Sequence, residues 1–537
     1  MWILTLAVAT PLLVYPVLKR RFRSWALDKF TCVPDLEWIG AARKGGKLPG
    51  TAVICGGSVG GLFAAGVCAD HFEKVVVVEP EAWTFTPEAR EPPKFDTRTV
   101  TSATATYNTI DHKRSRIYQY SAIHVYQAIL LRFARKLFPG FDALAKDWGM
   151  MTRGANTNIS INGHFVRVAE QIETLVGPRR TLEPLIRKLV SETRPHIEFV
   201  HGTVTGFEVA GDRSVKTVTV RLADGETRDI SCALAVDCTG IAQSGLKWLS
   251  RVIPDLLTDL RASYNADIAY VTLEYPKPPN FDEDLRALNI PKYDTDTESG
   301  ILVYAPSPDC DTRFVGLVRN DQNSVVMTMG GWNVDMPVTL DEVRAFAKDV
   351  KHKSHIPDYF YKALDLLEPV RDQGVIFEAR ITNCYAIAYE RAATQLPPNF
   401  VALGDASMRV NPRFGQGVTK SAMGAITLDA VLRRISPDSR SFGSVFFQKL
   451  ASRTSSVWDG TRFADYAAPT TTPAPGETHE SGKFQRWFTS QIVKASETNP
   501  QAAEAFFHNL GFLGPATDMF APSILATILW QVLTRSG

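Results

Sequence analysis

Thr51-Ala52-Val53-Ile54-Cys55 runs into Gly56-Gly57-Ser58-Val59-Gly60-Gly61, and Lys74-Val75-Val76-Val77-Val78-Glu79 follows a helical stretch from Leu62 to His71. Two short apolar runs rich in β-branched residues read as buried strands, with a helix crossing between them. The glycines let the chain turn sharply and let the helix N-terminus approach a pyrophosphate, whose charge the exposed N–H groups and the helix dipole favour. Glu79 closes the second strand 23 residues after Gly56, where a carboxylate accepts hydrogen bonds from a ribose diol. Ser58 occupies the middle position of the turn, where a bare backbone is usual. The unit predicts a dinucleotide site built on Gly56, Ser58, Gly61 and Glu79.

The rest of the composition sets limits on what surrounds this unit. The 537 residues correspond to two to four domains at roughly 100–200 residues each. Hydrophobic residues make up 45% and charged residues 22%, an ordinary globular balance that excludes a disordered or collagen-like chain. Lysine plus arginine is 59 and aspartate plus glutamate 57, a formal charge of +2. Such a chain has no basic excess for a phosphate backbone, so nucleic acid is not an expected partner. The 7 cysteines (32, 55, 68, 232, 238, 310 and 384) are scattered and never form a C-x-x-C pair. That spacing argues against a disulfide framework and a zinc ribbon, and fits a reducing compartment.

Both ends depart from this average. Trp2 to Leu18 is uncharged and apolar, and Lys19, Arg20, Arg21 and Arg23 follow at once. At 1.5 Å per residue the run reaches about 25 Å, the short limit for a hydrocarbon core of about 30 Å. Charge after the run rather than before it is wrong for a cleaved signal peptide, and would hold the body on the cytosolic side. Residues 1–24 are therefore expected to be a single-pass anchor, although Pro11 and Pro16 weaken a helix there. Phe520 to Leu533 is too short to span and reads equally as an interfacial helix or a core helix.

Between the ends, His196 to Asp237 and Ala266 to Met329 have strand texture, with turns at Gly211-Asp212 and Asp224-Gly225. Leu340 to Leu367 has a helical pattern, and Asn399 to Leu403 is a strand leading into Gly404-Asp405. Pro469 to Gly482 (PTTTPAPGETHESG) alone looks like a linker, and a helical tail follows it.

Ala402-Leu403-Gly404-Asp405-Ala406 precedes Asn411-Pro412-Arg413-Phe414-Gly415-Gln416-Gly417. This string resembles the second FAD fingerprint of the p-hydroxybenzoate hydroxylase superfamily, whose aspartate binds ribityl hydroxyls and phosphate. Ala235 to Gly240 (AVDCTG) is similar to the middle fingerprint. Arg179 with Leu182 and Glu183 resembles the arginine those enzymes place on the FAD pyrophosphate, with Arg180 a neighbouring candidate. The GGSxxGL opening, the stretch from His124 to Gly140 and the helical tail most resemble the squalene-epoxidase-like branch. That likeness implies membrane attachment, here the endoplasmic reticulum with the body facing the cytosol, and apolar substrates. The candidate cofactor residues are then Gly56, Ser58, Gly61, Glu79, Arg179, Val204, Asp405, Pro412, Gly415 and Gly417.

The resemblance implies an α/β fold: a Rossmann-like FAD domain of the glutathione-reductase type, a mixed β-sheet substrate domain and a helical C-terminal region. The expected boundaries are 45–250 and 381–440 for the FAD domain, 251–380 for the substrate domain and 441–537 for the helical region. Tyr120, His124 and Trp332 are candidates for the substrate pocket, although aromatic and histidine side chains more often serve as packing. Thr239-Gly240 replaces the Asp-Gly pair usual in the aromatic hydroxylases, and the text around Trp332 does not match the W-x-W-x-I-P string of flavin halogenases. No second glycine-rich dinucleotide unit appears, so NAD(P)H is expected as a transient donor. No metal site is expected, and no HExxH site or P-loop is present.

The reading is an FAD-dependent monooxygenase that uses O2 and NAD(P)H on a lipophilic small molecule. A flavin-dependent reductase of isoprenoid double bonds and a non-redox FAD-bound cyclase remain as alternatives on the same fold. Nothing in the sequence fixes an oligomeric state.

Overall fold

The computed structural model describes residues 2–94, 96–101, 106–154, 158–166, 172–291, 293–351 and 355–534, with side chains from residue 16 onward. In chain order, helix α1 (Trp2–Phe30) precedes β1 (Leu48–Cys55), α2 (Val59–His71) and β2 (Phe72–Glu79). Helices α3 (Ala128–Leu137) and α4 (Arg179–Thr193) lead to β3 (Ile197–Val209), β4 (Val215–Leu222), β5 (Thr227–Ser231) and β6 (Leu234–Asp237). Further strands follow: β7 (Arg261–Pro276), β8 (Gly300–Ala305), β9 (Arg313–Arg319), β10 (Ser324–Trp332) and β11 (Val375–Ile387). Strand β12 (Phe400–Ala402) then opens a helical stretch of α5 (Gly417–Leu432), α6 (Phe442–Asp465), α7 (Lys483–Ala495), α8 (Pro500–Leu510) and α9 (Pro522–Thr534).

The first sheet has the order β5-β4-β3-β2-β1-β6-β12. Its centre is parallel, with Val53 beside Val76, Ile54 beside Val236 and Val236 beside Val401. Val75 to Val78 are all at most 1% exposed, because a central parallel strand is covered by helices on both faces. A run without polar alternation is the sequence consequence of that position. The glycine turn, the end of β6 and the start of β12's loop thus come to the same carboxyl edge, where open α/β sheets bind ligands.

The second sheet is ten-stranded among the described residues and centred on β7, which pairs antiparallel with both β10 and β11. Segments Asp96–Thr101, Thr106–Asp111, Ile159–Ile161 and His164–Val166 join its two edges, although they precede residue 251 in the chain. The long helical pattern from Leu340 resolves into two helices, Leu340–Lys348 and Asp358–Asp365.

Two expectations about the periphery need correction. Pro469 to Gly482 is not a linker: Thr472 exchanges backbone hydrogen bonds of 3.0 and 2.9 Å with Asn265, and Thr471 Oγ1 donates to the Ala266 carbonyl at 3.1 Å. Its turn-rich composition serves a path beside β7, where the backbone of Thr472 pairs with that of Asn265. The single-pass anchor is also overturned, and the membrane localisation inferred from it goes with it. Among the described residues no helix is long and apolar enough to cross a membrane. Helix α1 runs without a break from the apolar run into its basic flank, and its second half docks on protein. Ala26 is fully buried there, and Arg23 Nε lies 3.1 Å from Asp518. Helix α9 packs Ile524 and Ile528 against Phe488, Ile492 and Ala502, while Leu525, Leu529 and Trp530 face outward.

Candidate functional site

The turn from β1 into α2 is held by its own backbone. Gly56 has φ +113°, and its N–H donates to the Val78 carbonyl at 2.8 Å. A Cβ on Gly61 would lie 1.8 Å from the Gly56 carbonyl oxygen, so only glycine lets helix and turn close on each other. The Glu79 carboxylate accepts from the Gly57 N–H at 2.7 Å and from the Glu81 N–H at 3.1 Å. Glu79 is therefore engaged by the turn itself.

Behind this turn lies a charge cluster that the sequence did not reveal. Arg114 is buried with Nη1 2.6 Å from Glu81 and 3.6 Å from Glu79, and Nη2 3.1 Å from Glu183. Arg187 donates to the Gly57 carbonyl at 2.7 Å. Burial acts to raise the Glu183 carboxyl, but the guanidinium groups of Arg114, Arg179 and Arg187 outweigh it and hold the group below its ordinary value. Ser58 links the cluster to the turn, donating to Glu183 at 3.0 Å and accepting from Arg179 at 3.1 Å. The serine that departs from the glycine pattern thus works as a bridge. Arg180 turns away to Glu274 on β7 at 2.5 Å, which leaves Arg179 as the arginine at the turn.

The second arm runs from β12 to α5. Gly404 and Gly415 have φ near +65° and +63°, the left-handed conformation that the two bends require. The Asp405 carboxylate is in contact with the ammonium of Lys420, one turn into α5, whose side chain is almost fully buried. Asn411 accepts from the Arg413 N–H at 3.0 Å and donates to Asp465 on α6 at 2.8 Å. Gln127 donates through Nε2 to the Phe414 carbonyl at 3.1 Å, and its N–H donates to Thr419 at 3.1 Å. Those bonds lay the Val125–Gln127 strip on the turn. In the middle fingerprint, buried Asp237 accepts from the N–H groups of Thr239 and Gly245, each at 2.9 Å, and burial raises its carboxyl.

These arms face a cavity of about 1420 Å³. Ser58, His124, Arg179, Asp405, Pro412, Gly415 and Gly417 line it, and Gly56, Gly61, Glu79, Val204, Tyr120 and Trp332 do not. Val204 lies in the core of β3. Tyr120 is buried edge-on against Trp83 at 6.5 Å, and Trp332 is 1% exposed with its indole N–H unpartnered. His124 is held by the Ala122 carbonyl at 2.9 Å from Nδ1. Burial, then the charge of Arg179, pushes its pKa down to about 3, so the imidazole is neutral at physiological pH.

An extended, phosphate-bearing dinucleotide fits these residues. The N-termini of α2 and α5 both open into the cavity, presenting unpaired N–H groups and positive dipole ends. Nothing lies within 4 Å of where a Cβ on Gly417 would sit, so the space beside α5 is open. Asp405 commits Oδ1 to Lys420 and has its other oxygen available to hydroxyl donors. FAD carries a pyrophosphate, a ribityl chain and a ring system that match this sequence of groups. Among the described residues no cluster of His, Cys, Asp or Glu could hold a metal ion, and none of the seven cysteines forms a disulfide.

No protein-family model matches this chain. A curated relative, Protein Rv3254 of Mycobacterium tuberculosis, is 24% identical over 484 residues, covering 86% of this chain and 89% of that protein. The flavin-dependent brominase Bmp2 superposes with a TM-score of 0.56 at 13% identity, covering 91% of this chain and 99% of that one. A flavoprotein/dehydrogenase from Cytophaga hutchinsonii gives a TM-score of 0.50 at 12% identity, over 90% and 98%. What is shared at this distance is the fold: a sheet-rich α/β flavin-binding fold with a helical C-terminal region. The narrower likeness to squalene epoxidases gains no support from these relatives.

Proposed function

We propose that this chain is an FAD-dependent monooxygenase that places one oxygen atom, by epoxidation or hydroxylation, into a lipophilic small molecule such as an isoprenoid, polyene or prenylated aromatic. NAD(P)H is the reductant and secondary metabolism the setting. The observation that carries the reading is the convergence of two glycine turns, Arg179 and Asp405 on one cavity whose lining is more apolar than polar. When bound, FAD supplies two-electron chemistry with the nicotinamide and activation of O2. The chain's own contribution is placement. Helix α2 and Arg179 would hold the pyrophosphate, Asp405 the ribityl chain, and the α5 N-terminus negative charge on the ring. Ile123, Ile268 and Phe314 form an apolar wall, and Val493, Phe506 and Leu510 from α7 and α8 roof it against water.

The test is direct. FAD-loaded protein supplied with NAD(P)H and ¹⁸O₂ should yield a product carrying one labelled oxygen, identified by mass spectrometry in a producing host with and without the gene. Turnover without label would leave a reductase, and turnover without reductant a cyclase.

A further inference from the structure

Among the described residues four arginine and lysine side chains line the cavity, and three are occupied. Arg179 is paired with Glu183, Lys483 with Glu480 at 2.7 Å, and Arg486 donates to the carbonyls of Phe463, His479 and Ser481. Arg413 differs. Its guanidinium carbon lies 5.0 Å from the Trp332 ring centroid, 5.2 Å from Phe314 and 5.8 Å from Phe414. Among the described residues no carboxylate reaches ion-pair distance of it. Asp465, the acid whose field it feels, is engaged by Tyr264 at 2.7 Å and Asn411 at 2.8 Å.

Aromatic faces stabilise a cation but accept none of its five N–H donors, so the planar edge of the guanidinium stays open for bidentate recognition. Burial pushes its pKa down to about 10, which leaves it charged at neutral pH. Two of its three aromatic partners, Phe314 and Trp332, belong to β9 and β10 of the second sheet. The pyrophosphate-binding features, the α2 N-terminus and Arg179, belong to the other sheet and its helices. The open cation therefore faces the second sheet's side of the cavity.

We propose that Arg413 anchors an anionic group, a carboxylate or an acidic enol, on the substrate, so that the natural substrate is a lipophilic acid. This deepens the reading of the cavity as a flavin-plus-substrate site and rests on it. A hydrogen-bonded ion beside the apolar stretch of such a pocket fixes one end of a flexible hydrophobic molecule and gives the site its register.

The experiment uses the FAD-loaded full chain and matched pairs, 2-naphthoate against 2-naphthylmethanol and octanoate against 1-octanol, followed by flavin difference absorbance and calorimetry. Each acid should bind about tenfold or more tighter than its alcohol, and Arg413→Met should remove that preference while leaving the alcohols unchanged. Equal affinities, no binding of any probe up to its solubility, or a preference that survives Arg413→Met would overturn the proposal. Should Arg413→Met fail to fold, Arg413→Lys decides. It keeps the charge but loses the planar fork, so a selective loss for the acids supports the proposal and unchanged acid affinity overturns it. Binding is read without turnover. A protein that prefers acids yet incorporates no labelled oxygen fails the oxygenase reading alone.

Discussion

The Tyr264 hydroxyl on β7 donates a 2.7 Å hydrogen bond to the Asp465 carboxylate at the end of α6, joining the second sheet to the helical region behind the glycine turn. Burial pushes the Asp465 carboxyl up to about 7, against the bonds from Tyr264 and Asn411 and the charge of Arg413. A carboxyl whose folded pKa is raised binds its proton more tightly when folded. Its contribution to stability is full below the unfolded value near 4 and is lost as pH rises through about 7. Asp465→Asn removes this titration. The stability difference between native protein and variant should therefore change between pH 4 and 7 and level off above about 7, as measured by urea unfolding across that range.

Asp405 and Lys420 form a pair in which the lysine is almost fully buried and the aspartate faces the cavity. Asp405→Ala should yield colourless protein, because it removes the acceptor proposed above for the ribityl chain. It should also cost stability, because it strands the ammonium in the interior. Adding Lys420→Met should restore much of the stability and none of the colour. The ratio of flavin to protein absorbance, with thermal unfolding of both variants, separates the two roles.

How far the sequence could be read follows from the range of each interaction. The β1–α2–β2 unit and the Asp405–Gly417 string were legible because a glycine turn and a buried valine strand are local patterns. The partners of those residues come from far along the chain: Ser58 meets Glu183, and Asn411 meets Asp465. One signal was present. The α5 segment GVTKSAMGAITLDAVL carries only Lys420 and Asp429 as charges in an otherwise uncharged helix that is buried from Val418 to Leu432, and both prove to be paired. Tyr120 and Trp332 have the chemistry of pocket residues but lie behind the lining, and no local pattern tells a pocket wall from the layer behind it. Composition misled at Pro469 to Gly482, since turn-forming residues also suit a chain packed beside a strand.

Arg114 neutralises three buried carboxylates at once, so its loss should be among the most damaging single changes near the turn. Arg114→Met is expected to cost about 3–5 kcal/mol at neutral pH, the usual penalty for breaking a buried ion pair from one side. Urea midpoints of native protein and variant at pH 7 check the size of the loss.

Helix α9 supplies the last prediction, because the sequence left it open between a core helix and an interfacial one. Ile528 is 5% exposed and packs with Ile492 and Phe488, whereas the adjacent Leu529 is 59% exposed. A charge at the first position is buried with no partner, and at the second it meets water. Ile528→Asp should destabilise the helical region by about 3 kcal/mol or more, while Leu529→Asp should change stability by no more than about 0.5 kcal/mol. Because α7 and α8 roof the cavity and α9 packs on both, the Ile528 variant should also release flavin more readily when warmed. Thermal unfolding followed by protein and by flavin fluorescence would register both effects. Equal responses to the two substitutions would place both residues in the same environment and remove the assigned orientation of α9.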